Sequence, residues 1–123
     1  MKLFLRQHDM IWGMSDLDPK RTNVPVIIWI DHNGVDARKV AHRKSPRVKI
    51  VKDKHSISIS IEEHPRILAK SRNIPKNVMN DLQKGVDYIA RNWDVFLKHY
   101  LDTDFTFGDD ELKDELRRRG EYN

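Results

Sequence analysis

Two neighbouring stretches, RVKIVK at 47–52 and HSISIS at 55–60, each alternate apolar with polar residues. Side chains of a strand point alternately to opposite faces, so each stretch reads as a strand with one greasy and one polar side. A two-residue loop at Asp53-Lys54 aligns the two patterns. Lys52 then faces His55, Ile50 faces Ile57, Val48 faces Ile59, Lys49 faces Ser58 and Arg47 faces Ser60. A four-residue loop over 52–55 keeps the same pairing, whereas a slip of one residue would put every isoleucine on the wrong side. The pattern therefore predicts an antiparallel hairpin. Ile57, Ile59 and Ile61 turn inward together, and Ser56, Ser58 and Ser60 turn outward beside Arg47 and Lys49.

A hairpin of this kind needs a partner for its apolar face, and the chain supplies one. Val78, Leu82, Val86, Ile89, Trp93, Phe96, Leu97 and Tyr100 recur at spacings of three and four, which predicts a long amphipathic helix over 75–101. Pro75 suits its first position. Gly85 costs about 1 kcal/mol relative to alanine in a helix, and its place on the apolar side suggests a close approach to the sheet. The run VPVIIWI at 24–30 reads as a buried strand, and KLFLR near the start as a short first strand. Asn33-Gly34 signals a tight turn; the segment after it, 35–42, reads either as a return strand or as a short helix. SDLDPKRTN is turn-like, with Ser15 as a candidate cap, and HPRILAKSRNIP reads as a connector.

Beyond the long helix, Phe105 and Phe107 are expected to anchor a turn. A final charged helix follows, capped by Asp109 or Asp110, with acids at its start and arginines at its end as the helix dipole favours. The expected architecture is an α+β domain: an antiparallel sheet of about four strands packed on one long helix, plus a short C-terminal helix. The 123 residues suit a single domain with a candidate mobile tail from about 116. The expected core is Val26, Ile28, Ile30, Val48, Ile50, Ile57, Ile59, Val78, Leu82, Val86, Ile89 and Trp93, with Trp29 also assigned to it and Trp12 to an interface.

The absence of cysteine excludes disulfides, thiolate nucleophiles and Cys-type zinc sites. The N-terminal segment is too short and polar for a signal peptide, and no run reaches membrane-spanning length. A cytoplasmic protein without membrane association is the expectation. The net charge of +4 is unevenly spread. From 38 to 54 there are eight Lys or Arg against one acid, and from 102 to 115 seven acids against one Lys.

This polarity nominates one surface. Arg43, Lys44, Arg47, Lys49, Lys54, Ser56, Ser58 and Ser60 would form a cationic, hydroxyl-rich strip suited to phosphates or to an acidic protein. The same pattern also describes the solvated outer face of a one-sided sheet. No aromatic residue is expected on this face for base stacking. A second constellation, His64 with Glu62 and Arg47, has the residue types for phosphodiester chemistry, with His64 moving a proton and Arg47 stabilising charge. Strand-end polarity explains it equally well. Asp31-His32 suits a turn as well as a metal. DTDFTFGDDE lacks the glycine and glutamate that a calcium loop needs at its sixth and twelfth places, where Phe107 and Lys113 stand. No motif asks for a cofactor or a metal.

The order RVKIVKDKHSISISIEEHPRIL…IPKNVMNDLQKGVDYIARNWDVFLKHYLD, over about 47–102, is similar to small uncharacterised bacterial proteins carried near prophage or other mobile DNA. That resemblance implies a bacterial accessory factor and assigns no residue a role. The functional expectation is a non-catalytic interaction module whose basic face engages nucleic acid or an acidic protein, with the C-terminal segment a candidate for homodimer formation. One alternative is a small ribonuclease-like toxin using His64, Glu62 and Arg47; such toxins are similar in size and charge, but their helices precede most of their strands. The other is an inhibitor or antitoxin that binds one host protein through the acidic segment 102–115.

Overall fold

In the computed structural model, which describes residues 14–31 and 46–123, the hairpin forms in the expected register. Strand β3 (Arg47–Lys52) pairs antiparallel with β4 (His55–Ser60), with Lys49 opposite Ser58, Ile50 opposite Ile57 and Lys52 opposite His55. Asp53 closes the two-residue loop at a φ of 55°, a left-handed conformation that aspartate tolerates better than most residues. Ile57, Ile59 and Ile61 are all buried, as are Val48 and Ile50 opposite them.

Among the described residues the sheet has five strands in sequential order, each antiparallel to the next. The strands differ from the sequence expectation at three places. Strand β1 is Met14–Leu17, overlapping the stretch read as a turn. Leu17 is fully buried opposite Ile28, so burial outweighs the turn-like composition. Asp18, rather than Ser15, caps the helical turn α1 (Pro19–Thr22), its Oδ1 accepting from the Lys20 N–H at 2.8 Å. Strand β2 is Ile27–Asp31, starting three residues into the apolar run 24–30 and ending one residue past it.

The third difference is β5 (Ile67–Lys70), within the stretch read as a connector. It pairs Lys70 with Ile57, Ala69 with Ser58 and Ile67 with Ile59. Leu68 is the extra residue of this bulged ladder, and a bulge destroys the alternation by which a strand is recognised. The KLFLR segment, Trp12, the Asn33-Gly34 turn and the segment 35–42 lie outside the described residues, as do Arg43 and Lys44.

Helix α2 (Lys76–Leu101) crosses the apolar face of β2, β3 and β4. Pro75 stands just before it as the N-cap. A Cβ on Gly85 would come within 2.8 Å of Ile50 and 2.9 Å of Val26, so the glycine is what lets helix and sheet meet this closely. Every residue of the expected core is buried except Trp93, which is partly buried against it, and Trp29, which lies elsewhere. The helix has a second buried stripe, Tyr88, Asn92, Val95 and His99. Helix α3 (Asp109–Arg118) packs on α2 and contributes Leu112 and Leu116 to the core. Gly108 is its N-cap and donates its N–H to Glu111 Oε1 at 2.9 Å. Phe107 is buried, whereas Phe105 is 63% exposed and anchors nothing in the core.

The chain after α3 packs back on the domain. Tyr122 is buried, the Tyr88 hydroxyl donates to the Glu121 carbonyl at 2.8 Å, and the Asn123 N–H donates to the Arg21 carbonyl at 2.8 Å. The segment from about 116, the candidate mobile tail, thus makes contacts with the domain through its last three residues.

Candidate functional site

The helices occupy one face of the sheet, and its other face presents the outward positions of each strand. Register fixes their order. Asp16, Trp29, Lys49, Ser58 and Ala69 form one row across all five strands. Ile27, Val51 and Ser56 form the next row, and Arg47 and Ser60 pair in a third. Trp29 is half-buried between the fully inward Ile28 and Ile30 and does not belong to the core cluster. The expectation of a core tryptophan and of a face without aromatics is therefore corrected. Unbroken apolar character over 24–30 concealed the parity that places Trp29 outside.

The cationic strip divides into parts with different roles. Lys49 is exposed at the centre of the face, and Lys54 is exposed at the hairpin tip. Ser56 and Ser58 are half-buried and open onto a depression of about 300 Å³ lined by Lys49, Ser56, Ser58, Ala69, Lys70 and Ser71. Ala69, Lys70 and Ser71 come from β5 and the residue after it, so sequence reasoning could not place them here without that strand. The Ser71 hydroxyl is committed: it accepts from the Ser56 N–H at 2.8 Å and donates to the Ser56 carbonyl at 3.1 Å. The Ser58 hydroxyl has no partner among the described residues.

Ser60 is not part of an exposed strip. It is 2% exposed, because the β4–β5 connection folds across it. The Ser60 N–H donates to the Arg66 carbonyl at 3.0 Å and the Ser60 hydroxyl accepts from the Arg66 N–H at 2.8 Å. The same hydroxyl donates to Glu62, whose Oε2 also accepts from Arg66 Nε at 2.7 Å. Arg47, opposite Ser60, is half-buried with its Nε out of water. Parity alone predicted an outward serine; the cover that buries it comes from a loop.

This clasp also decides what Glu62 can do. The Ser60 hydroxyl and then the Arg66 guanidinium hold its carboxyl below the usual carboxylate range. A carboxylate stabilised in this way is a poor general base, and its bonded partners are Ser60 and Arg66 rather than His64, which stands exposed nearby. The acidic segment is similarly engaged. Asp102 accepts from the Thr106 hydroxyl and the Phe107 N–H, Asp109 pairs with Lys113, and Asp114 pairs with Arg117. Glu115 pairs with Arg118 and Arg119.

Among the described residues no group of three His, Asp or Glu is placed to hold a metal ion, and no helix is long and apolar enough to cross a membrane. The charges on the helix side are largely paired: Lys52 meets Asp81 at 3.6 Å, Arg91 binds Glu121 at 2.9 Å and Arg119 grips Asp94 at 2.7 Å. Arg47, Lys49 and Lys70 have no ion-pair partner among the described residues. The chain matches no protein-family model, no curated protein and no solved structure.

Proposed function

We propose that this chain is a non-catalytic interaction module that binds a polyanion, foremost a nucleic acid, on the outer face of its sheet. The observation that carries this reading is Lys49, exposed and without an ion-pair partner among the described residues, beside a depression onto which Ser56 and Ser58 open. Phosphate oxygens accept from ammonium and hydroxyl donors alike. The similarity of about 47–102 to small bacterial proteins carried near mobile DNA suits an accessory factor of this kind. The bound carboxylate of Glu62 weighs against the ribonuclease-like alternative, and the internal bonding of Asp102, Asp109, Asp114 and Glu115 weighs against a docking role for that segment. Leu112 and Leu116 are consumed within the chain, so α3 offers no apolar seam to a second copy.

The test is a pull-down from native bacterial lysate with and without nuclease, paired with anisotropy titrations against labelled oligonucleotide and heparin. Expected are nuclease-sensitive recovery and saturable binding that Lys49→Glu abolishes. Binding that survives this charge reversal, or recovery of one acidic protein after nuclease treatment, sinks the nucleic-acid reading.

A further inference from the structure

The outer face is not uniformly cationic, and its asymmetry bears on what it holds. The half built by β2 and the adjoining end of β3 carries Ile27, Trp29 and Val51. Ile27 is 37% exposed, and Trp29 and Val51 are half-buried on the side away from the core cluster. The half built by β3, β4 and β5 carries Lys49, Ala69 and the Ser58 hydroxyl, which has no partner among the described residues. Trp29 and Lys49 are direct cross-strand partners, and Lys49 is the direct partner of Ser58. Among the described residues the Trp29 indole makes no ring contact and has no hydrogen-bond partner.

Resting on the polyanion reading above, we infer that the ligand is single-stranded nucleic acid, with a base stacked on Trp29 and its phosphodiester backbone over Lys49 and the serine depression. Adjacent strands stand about 4.8 Å apart, so the indole lies one strand spacing from Lys49 and two from Ser58. That separation is comparable to the reach from a base to its own phosphate. A duplex presents phosphates outward and keeps its base faces stacked, so it has no use for the apolar half. An unpaired strand offers both surfaces at once. A sheet face without a projecting helix also has nothing to insert into a major groove. Asp16, beside Trp29 in the same row, disfavours a phosphate on the indole side.

Binding is measured by anisotropy with a mixed-sequence single-stranded 12-mer, the corresponding duplex and heparin, alongside tryptophan emission. The wild-type chain is expected to prefer the single strand over the duplex and to show quenched emission on binding it. Trp29→Ala is expected to weaken single-strand affinity about tenfold while leaving heparin binding unchanged, and Trp29→Phe to restore most of the loss. Lys49→Glu is expected to weaken all three ligands. Thermal unfolding establishes that each variant is folded, and the preference of the wild-type chain for single strand over duplex carries the test if the alanine variant is not. The stacking inference alone fails if heparin and oligonucleotide bind but the duplex competes equally, or if Trp29→Ala binds the single strand as wild type. If no polyanion binds, the reading beneath it fails as well.

Discussion

Lys49 and Lys52 lie three residues apart on one strand and face opposite ways. Lys52 reaches across to Asp81 of α2 at 3.6 Å, and Lys49 stands exposed on the outer face. Lys52→Ala is expected to change stability by less than about 1 kcal/mol and leave polyanion binding intact. Lys49→Glu should do the reverse, and urea titration with oligonucleotide binding separates the two. Ser60 is the residue whose role the pattern hid. Its hydroxyl serves the Arg66 N–H and the Glu62 carboxylate in a buried place. Removing it leaves a buried donor unsatisfied, so Ser60→Ala is expected to cost about 1–3 kcal/mol, read as a lower urea midpoint at an unchanged slope. Gly85→Ala is expected to destabilise by about 1–3 kcal/mol despite the higher helix propensity of alanine. Its methyl would have to displace Ile50 and Val26.

Among elements, the β3–β4 hairpin and the long helix were legible because each is an extended periodic pattern with one buried side. The second buried stripe of α2 was not, since Asn92 and His99 are polar and are covered only once the loop after α2, α3 and the last residues fold back. Asn92 takes non-helical dihedrals of −122° and 21° and donates to the Tyr88 carbonyl at 3.0 Å, marking a kink inside that stripe. His99 Nδ1 meets the Phe107 carbonyl at 2.9 Å. Two carboxylates anchor this second layer. The Arg91 guanidinium holds Glu121 below the usual carboxylate range, and Arg119 does the same for Asp94. A carboxyl whose pKa is lower folded than unfolded stabilises the fold above its unfolded value, and that contribution is lost as pH falls through the folded value. Stability is therefore expected to fall below about pH 4, and Glu121→Gln combined with Asp94→Asn should flatten that limb in acid titrations followed by circular dichroism. Tyr122→Ala is expected to cost about 2–4 kcal/mol, because the ring is buried against Lys113 and Arg117. Melting temperature checks it.

At the scale of the molecule, charges among the described residues are largely paired on the helical side, whereas Lys49 on the other sheet face has no ion-pair partner among them. A ligand covering two or three phosphates should show log affinity falling with log salt at a slope of about −1.5 to −2, and a flat salt profile would point to an apolar partner instead. The sequence by itself determined the α+β class, the hairpin register, the inward isoleucines and the outward Lys49, because alternation and helical spacing are local and each leaves a single face to bury. Only the tertiary structure decided that Trp29 belongs outside, that Ser60 lies under a loop and that β5 completes the depression. Each of these depends on what a distant segment covers, and coverage leaves no periodic trace in the residues that are covered.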